Sequence, residues 1–190
     1  MRIITGTARG CRLKTPKGQE TRPTADRIKE SLFNILGTKV YGRTVLDIFA
    51  GTGNLGLEAL SRGAKQGVFI DKATAKLIEE NAQLTRLTSQ VTVYGTDVFL
   101  KLNQLATAKH SFDLIFCDPP YHKGLWEKAL LAIDKFDGLL AHNGILVVEH
   151  GADENEIPAT ESLVLVMNRR YGHTTQLSFF QRRDFVEGDS

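Results

Sequence analysis

Four consecutive residues, Asp118-Pro119-Pro120-Tyr121, directly follow an apolar run and carry the most specific chemistry in the chain. Adjacent prolines fix the backbone and lack N–H groups, so the backbone there offers only hydrogen-bond acceptors. A planar amine that donates to Asp118 and to the Pro119 carbonyl would expose its nitrogen lone pair, and both acceptors would stabilise the positive charge that develops on methylation. Tyr121 would stack on a base drawn out of its helix or loop. The segment therefore predicts a site for methylating a planar amine.

A second group of residues forms the loop Gly51-Thr52-Gly53-Asn54-Leu55-Gly56, which follows another apolar strand and satisfies the pattern G-x-G-x-x-G. Asp71 stands 20 positions after Gly51, at the end of the next predicted strand. A carboxylate at that place can accept hydrogen bonds from ribose hydroxyls. Taken alone, this pattern is the dinucleotide-binding fingerprint.

Two further carboxylates favour S-adenosylmethionine over NAD as the nucleotide. Asp47 lies in the strand before the glycine loop, where it would repel the pyrophosphate of NAD but suit a ligand that carries an ammonium group. Asp97 follows the third predicted strand, where it could accept a hydrogen bond from the adenine amine. Asp97 as a helix N-cap is the alternative, and both roles are compatible.

These residues require an alternating α/β framework, which the sequence supports from Thr44 onward. Solid apolar runs separated by helices predict a parallel sheet covered on both faces. The predicted strands are 45–49, 67–71, 91–94, 112–117 and 144–149, and the predicted helices are 54–61, 73–86, a short one after Asp97, and 124–134. The runs 163–167 and 174–180 are too close for a helical crossover and predict an antiparallel hairpin. We expect a doubly wound, mostly parallel sheet with a reversed terminal strand, whose carboxyl edge brings the glycine loop and Asp118–Tyr121 to one crevice.

The N-terminal region differs from the rest in charge. Residues 1–30 hold eight basic and three acidic residues, a balance of +5, whereas the other 160 hold 16 and 19, a balance of −3. Strand-like pieces at 2–5 and 11–14 predict a small hairpin, and Thr24 is the expected N-cap of an amphipathic helix. The pattern predicts a basic arm over 1–23 and a single catalytic domain over 24–190. Such an arm suits a polyanionic partner, although a solvated arm without a partner stays open.

Several motifs, in this order and spacing, resemble one family of enzymes. They are Thr21-Arg22-Pro23-Thr24-Ala25-Asp26-Arg27, Leu46-Asp47-Ile48-Phe49-Ala50-Gly51-Thr52-Gly53, Gly56-Leu57-Glu58-Ala59-Leu60-Ser61-Arg62-Gly63-Ala64, and Asp118-Pro119-Pro120-Tyr121. Together they resemble the RsmD-type bacterial methyltransferases, which methylate the N2 amine of one guanine in 16S ribosomal RNA. The resemblance covers nearly the whole chain; Cys11 and Asn54 depart from the residues usual in the family.

The resemblance implies a class I, Rossmann-like, S-adenosylmethionine-dependent methyltransferase that yields S-adenosylhomocysteine. It places Asp118, Pro119, Pro120 and Tyr121 at the target amine, and it implies a partly assembled small ribosomal subunit (30S) particle as substrate and a monomeric enzyme. The implied cofactor contacts are Asp47, Gly51, Gly53, Asp71, Asp97 and Val98, with Arg22 and Thr24 near the methionine end. The resemblance also suggests a function for the basic arm, which is to bind RNA phosphates through Arg9, Arg12, Lys14, Lys17 and Arg22. On this interpretation, deleting residues 1–20 would abolish RNA methylation and leave cofactor binding nearly intact.

Composition excludes other classes. No apolar run approaches the ~18–20 residues that span a bilayer, and the N-terminus lacks a signal-peptide core, so a cytoplasmic protein without membrane contact is expected. Two cysteines and five dispersed histidines show no metal-ligand spacing, so no metal is expected.

The open alternatives are methylation of another planar amine (adenine in DNA or RNA, or protein glutamine), an NAD(P)-dependent oxidoreductase, and a non-catalytic RNA-binding protein. Glu149 could support the site, and the four arginines at 169, 170, 182 and 183 are interpreted as surface charges, with RNA binding as the alternative.

Overall fold

The computed structural model describes residues 1–16, 23–154 and 156–188, except for the side chains of residues 23–25 and 187. Lys17 and Arg22, which the sequence assigns to RNA or cofactor binding, lie outside the described residues, as does the side chain of Thr24. The chain divides into two compact units, Met1–Asp97 and Val98–Ser190. No helix in the described ranges is both long enough and apolar enough to cross a membrane.

In its described residues, the first unit contains three parallel strands, in the order β3-β2-β1, and three α-helices. Its elements are α1 (Pro23–Leu36), β1 (Thr44–Ile48), α2 (Asn54–Ser61), β2 (Gln66–Ile70), α3 (Ala75–Leu84) and β3 (Val91–Tyr94). Leu46 on β1 pairs with Val68 on β2, which pairs with Thr92 on β3. β1 is buried after its first residue, as expected for a strand covered on both faces.

The part of the second unit that the structure describes contains four strands, in the order β4-β5-β7-β6. Its elements are α4 (Val98–Thr107), β4 (Phe112–Cys117), α5 (Leu125–Lys135), β5 (Leu140–Gly151), β6 (Leu163–Tyr171), β7 (Thr175–Arg182) and α6 (Arg183–Gly188). β4 and β5 are parallel, whereas β7 is antiparallel to both β5 and β6. The predicted reversed strand and terminal hairpin are therefore confirmed.

Three local expectations need correction. Helix α1 begins at Pro23, so Thr24 lies within the first turn rather than at the N-cap; proline suits the first helical position because its φ is already fixed. Strand β5 begins at Leu140, four residues before the predicted start at Gly144. The prediction was late because the exposed His142 and Asn143 interrupt the apolar pattern. The expected N-terminal hairpin is reduced to one antiparallel bridge, between Arg2 and Arg12.

The described part of the N-terminal arm, residues 1–16, is packed into the first unit. Ile3, Ala8 and Leu13 are buried. The Glu58 carboxylate on α2 accepts hydrogen bonds from the backbone N–H groups of Ile4 and Thr5, at 2.7 and 3.0 Å. A side chain at Gly6, whose φ is +89°, would place its Cβ only 1.7 Å from a backbone carbonyl oxygen of α2. The arm is thus docked on α2 through its backbone.

Candidate active site

The glycine loop of the first unit connects β1 to α2 through left-handed backbone. Phe49 has φ of +59°, which is strained for an aromatic residue, and Gly51 and Gly53 have φ of +56° and +78°. The nearest atom to a Cβ built on Gly51 is the Phe49 carbonyl oxygen, at 4.0 Å. The loop therefore presents an open backbone face at Gly51, where a ligand can approach closely.

Asp47 lies buried beneath this loop. Its Oδ2 accepts a hydrogen bond from the N–H of Gly56 at 2.8 Å, at the start of α2. A Cβ on Gly56 would lie 2.3 Å from the Phe69 ring and 3.0 Å from Asp47 Oδ2, so only glycine permits this contact. Burial raises the pKa of Asp47 to about 8, although the hydrogen bond from Gly56 acts in the opposite direction. Asp47 therefore fixes the start of α2 and carries a titratable charge under the loop.

Asp71 closes the loop from the carboxyl end of β2. Its Oδ2 accepts the N–H of Gly51 at 3.0 Å, and its Oδ1 accepts the N–H groups of Ala73 and Thr74 at 2.9 and 3.0 Å. Each carboxylate oxygen has two lone pairs, so Oδ2 can accept a further hydrogen bond. Asp71 is half-buried, which leaves it accessible from solvent.

Asp97 is exposed and immediately precedes α4, while Val98 is the buried first residue of that helix. Both therefore lie just beyond β3, where the sequence predicts the adenine contact.

Buried polar side chains join the arm to the glycine loop. The Lys29 ammonium donates to the Arg2 carbonyl at 2.6 Å and to Asn54 Oδ1 at 2.7 Å, and it lies 3.1 Å from the Glu58 carboxylate. Burial lowers the pKa of Lys29, while the Glu58 charge opposes that shift. Since Asn54 begins α2, one buried cation holds both the arm and the helix that follows the glycine loop.

Asn81 makes a second connection of the same kind. Its Oδ1 accepts the Lys14 N–H at 2.8 Å, and its Nδ2 donates to the Lys14 carbonyl at 3.1 Å and to the Thr52 carbonyl at 2.9 Å. Asn81 is fully buried on α3. Because Thr52 belongs to the glycine loop, the arm braces the loop at two separate points.

In the second unit, Asp118–Tyr121 directly follows β4, and the tyrosine hydroxyl is anchored. Tyr121 Oη donates to Glu149 Oε1 at 2.7 Å and lies 3.2 Å from Thr175 Oγ1. Burial, followed by the charge of Glu149, raises the pKa of Tyr121, so the hydroxyl stays protonated and can donate. Burial also raises the pKa of Glu149. Two strands, β5 and β7, thus fix the orientation of the Tyr121 ring.

The backbone after Tyr121 is held by Glu154. Its Oε1 accepts the N–H of His122 and the indole N–H of Trp126, both at 3.2 Å, and its Oε2 accepts the N–H of Gly151 at 2.8 Å. Trp126 stacks on the buried His150, with ring centroids 4.4 Å apart. Tyr121, His122 and Trp126 are therefore all tied to the end of β5 or to the residues that follow it.

The structure brings Asp47, Gly51, Gly53 and Asp71 together around one loop, and it places Asp118–Tyr121 at the end of β4. The sequence did not indicate the structural roles of Lys29, Asn81 and Thr175. For Lys29 a signal was present, because it shares the apolar face of α1 with Leu32, Phe33 and Leu36. Within the described ranges, no three His, Cys, Asp or Glu side chains are grouped so that they could hold a metal ion.

Known proteins share this framework over nearly its full length. A solved structure of the Escherichia coli protein yhhF superposes with a TM-score of 0.81 at 33% identity and covers 96% of this chain and 97% of that one. The chain is 38% identical to ribosomal RNA small subunit methyltransferase D of Haemophilus influenzae, over 81% of this chain and 80% of the relative. It is 32% identical to the Escherichia coli protein of the same name, over 100% and 94%.

The fold and the glycine loop define a class I, Rossmann-like methyltransferase. The family model described as "Conserved hypothetical protein 95" matches residues 1–181. The chain belongs to this family, which includes ribosomal RNA small subunit methyltransferase D.

Proposed function

We propose that this protein transfers a methyl group from S-adenosylmethionine to the N2 amine of a guanine in 16S ribosomal RNA, within a partly assembled 30S particle. The observation that carries the proposal is the anchored Tyr121 ring, held by Glu149 and Thr175 and placed directly after Asp118 and two prolines at the end of β4. Relatives named ribosomal RNA small subunit methyltransferase D support the RNA target.

The residues of the first unit fit this cofactor. The side chains of Asp47 and Asp71 both accept N–H groups of the glycine loop region, so these donors are already engaged where NAD would place its pyrophosphate, and the Asp71 carboxylate adds repulsion. A cofactor that carries an ammonium and a sulfonium group suits the Asp71 carboxylate, as well as Asp47 once it ionises, and the open face at Gly51 permits close approach. Asp71 is available for ribose hydroxyls, and Asp97 for the adenine amine. When bound, S-adenosylmethionine supplies the electrophilic methyl group.

The residues of the second unit prepare the amine. The exocyclic amine of guanine is a poor nucleophile because its lone pair is delocalised into the ring. Hydrogen bonds to Asp118 and to the Pro119 carbonyl hold the two N–H groups and favour a pyramidal nitrogen with an exposed lone pair. Pro119 and Pro120 keep the carbonyl in place, and Tyr121 stacks on the flipped base. As the N–C bond forms and the bond between the methyl carbon and the cofactor sulfur breaks to leave S-adenosylhomocysteine, Asp118 would stabilise the positive charge on nitrogen and accept the released proton.

The arm supplies exposed cations for the RNA backbone. Arg9 and Arg12 are exposed, whereas the Lys14 ammonium is 2.7 Å from the Glu80 carboxylate and exchanges this partner when it binds a phosphate. Contacts of this kind add affinity without reading sequence, and they weaken steeply with salt.

The proposal is tested by mapping modified nucleosides. Purified protein, radiolabelled S-adenosylmethionine and 30S particles from cells that lack the gene are incubated, and the RNA is digested and analysed by mass spectrometry. We expect one N2-methylguanine in 16S RNA, which is also absent from the mutant cells and present in their parent. Methyl groups found only on adenine or on protein would contradict the guanine assignment. Calorimetric binding of NAD rather than of S-adenosylmethionine would contradict the proposed cofactor.

A further inference from the structure

The β6–β7 hairpin turns back beside the Tyr121 anchor. Tyr171, the last residue of β6, pairs with Thr175, the first residue of β7. Thr175 Oγ1 is 3.2 Å from the Tyr121 hydroxyl. The hairpin turn, residues 172–174, therefore lies at the same end of this sheet as the Asp118–Tyr121 segment.

Register assigns the residues near the turn to two faces. Glu149 on β5 pairs with Leu177 on β7, which pairs with Arg169 on β6. Cross-strand partners point to the same face of a sheet, so Arg169 shares the face of Glu149, which bonds Tyr121. Since neighbouring strands are ~4.8 Å apart, the Arg169 backbone lies about 10 Å from that of Glu149. Tyr171 lies two residues further along β6, on this same face.

Arg170 belongs to the opposite face. It pairs with Gln176, which pairs with His150, and His150 stacks on Trp126 of α5. Its Nε also donates to the Gly172 carbonyl at 3.2 Å. Two consecutive exposed arginines therefore project to different sides of one sheet, and only Arg169 projects to the side of Tyr121.

The charge of the hairpin suits a polyanion. Residues 163–182 contain three arginines and one histidine but no aspartate or glutamate. Arg182, at the far end, is already paired with Asp137 and Asp184, at 2.9 and 3.0 Å. Arg169 and Arg170 are exposed. The positive charge available at this end of the sheet thus lies at the turn, next to the amine site.

We propose that Arg169, together with Tyr171, forms an RNA-contact surface that continues from the Tyr121 site and binds the backbone of nucleotides flanking the target. The proposal rests on the proposed RNA methylation. When the target base stacks on Tyr121, the flanking nucleotides run across β7 toward β6. There Arg169 binds a phosphate and the Tyr171 ring provides a stacking surface for a base. The surface positions the strand and reads no base edges.

The adjacent arginine gives a matched control. The variants Arg169→Glu and Arg170→Glu change charge equally, one residue apart, on opposite faces. Thermal unfolding and calorimetric titration with S-adenosylmethionine show whether each variant retains its fold and cofactor site. Methyl transfer to 30S particles is then measured against particle concentration between 50 and 200 mM salt.

We expect Arg169→Glu to raise KM for the particle about tenfold or more and to reduce the salt slope of log(kcat/KM) by about one, since one phosphate contact is lost. Arg170→Glu should change KM less than about threefold. Equal effects of the two variants, or a normal KM for Arg169→Glu, would overturn this inference. A raised KM with an unchanged salt slope would indicate contact with a protein of the particle and would also overturn it. A wild-type enzyme that transfers no methyl group to RNA would instead refute the proposed function.

Discussion

Substitution of Asp47 by asparagine isolates the effect of one buried carboxylate on stability. The asparagine side chain keeps an oxygen that accepts the Gly56 N–H but cannot ionise. Burial raises the pKa of Asp47 from 3.8 to about 8, so the folded protein holds a proton that the unfolded chain has released. The contribution of Asp47 to the free energy of unfolding is therefore fully present below pH ~4 and is lost progressively as pH rises to about 8.

The size of this effect follows from linkage. One proton bound only by the folded state lowers the free energy of unfolding by ~1.4 kcal/mol for each pH unit, or about 3 kcal/mol between pH 5 and pH 7. Asp47→Asn removes this dependence. We expect the stability of the variant relative to wild type to rise by that amount over the interval, while other titrating groups cancel in the difference.

Urea denaturation of both proteins at pH 5, 6 and 7, followed by circular dichroism, measures this difference directly. Curves of unfolding free energy against pH that stay parallel for the two proteins would show that Asp47 titrates normally and would refute the reasoning. Binding of S-adenosylmethionine offers a second readout, because the ionised carboxylate favours a cation. Affinity of the wild type should rise from pH 6 to pH 7.5, below the pH at which the α-amino group of the cofactor loses its charge, and that rise should be absent in Asp47→Asn.

Three further perturbations test the docking of the arm. Gly6→Ala should destabilise the protein by roughly 3 kcal/mol or more, because the added Cβ collides with α2. Gly10→Ala is the control: Gly10 has φ of +82° but open space around it, so the substitution should cost only about 1 kcal/mol of backbone strain. Equal losses of unfolding free energy in urea denaturation would contradict the packing of Gly6. Lys29→Met should cost about 1–3 kcal/mol, because the Arg2 carbonyl and Asn54 Oδ1 lose their buried donor while Glu58 keeps Arg62 as a cation at 2.8 Å; a thermal midpoint equal to wild type would exclude this role. The charge pattern predicted that deleting residues 1–20 would spare cofactor binding, but the arm is bonded to the glycine loop through Lys29 and Asn81. Deletion of residues 1–14 should therefore weaken cofactor binding in calorimetry as well as RNA methylation, and undiminished cofactor binding would show that the arm is separable.

Most of the framework could be predicted from the sequence because its strands are continuous apolar runs. The helix 54–61 and the strands 91–94 and 112–117 have the predicted bounds, since glycine or polar residues mark their ends. The reversed terminal strand followed from the short connection between the last two runs. Strand β5 was placed less well, because two exposed polar residues near its start hide the pattern.

The role of the arm could be predicted only in part. Its basic charge suggested an appendage, yet its backbone is bonded to Glu58 and its apolar residues are buried. Local patterns do not show such contacts, because Glu58 lies 54 positions after Ile4 in the chain. The same limit applies to Asn81. Its polar side chain indicates a surface position, and only the structure shows that it donates to the Thr52 carbonyl of the glycine loop.

The candidate catalytic segment was predicted from four adjacent residues, and Glu149 was named as a possible support, whereas the contact from Thr175 was not expected. Asp118-Pro119-Pro120-Tyr121 indicates amine chemistry through residue type alone. The Tyr121 hydroxyl, by contrast, is held from β5 and β7, and the latter contact depends on a hairpin register that sequence leaves undefined.

The most direct measurement is single-turnover methyl transfer by Asp118→Ala, with S-adenosylmethionine binding by calorimetry on the same preparation. The variant should bind the cofactor within about threefold of wild type and transfer methyl groups to 30S RNA at least 100-fold more slowly, since the amine loses its charged acceptor. Transfer at the wild-type rate by a correctly folded Asp118→Ala protein would contradict the proposed site.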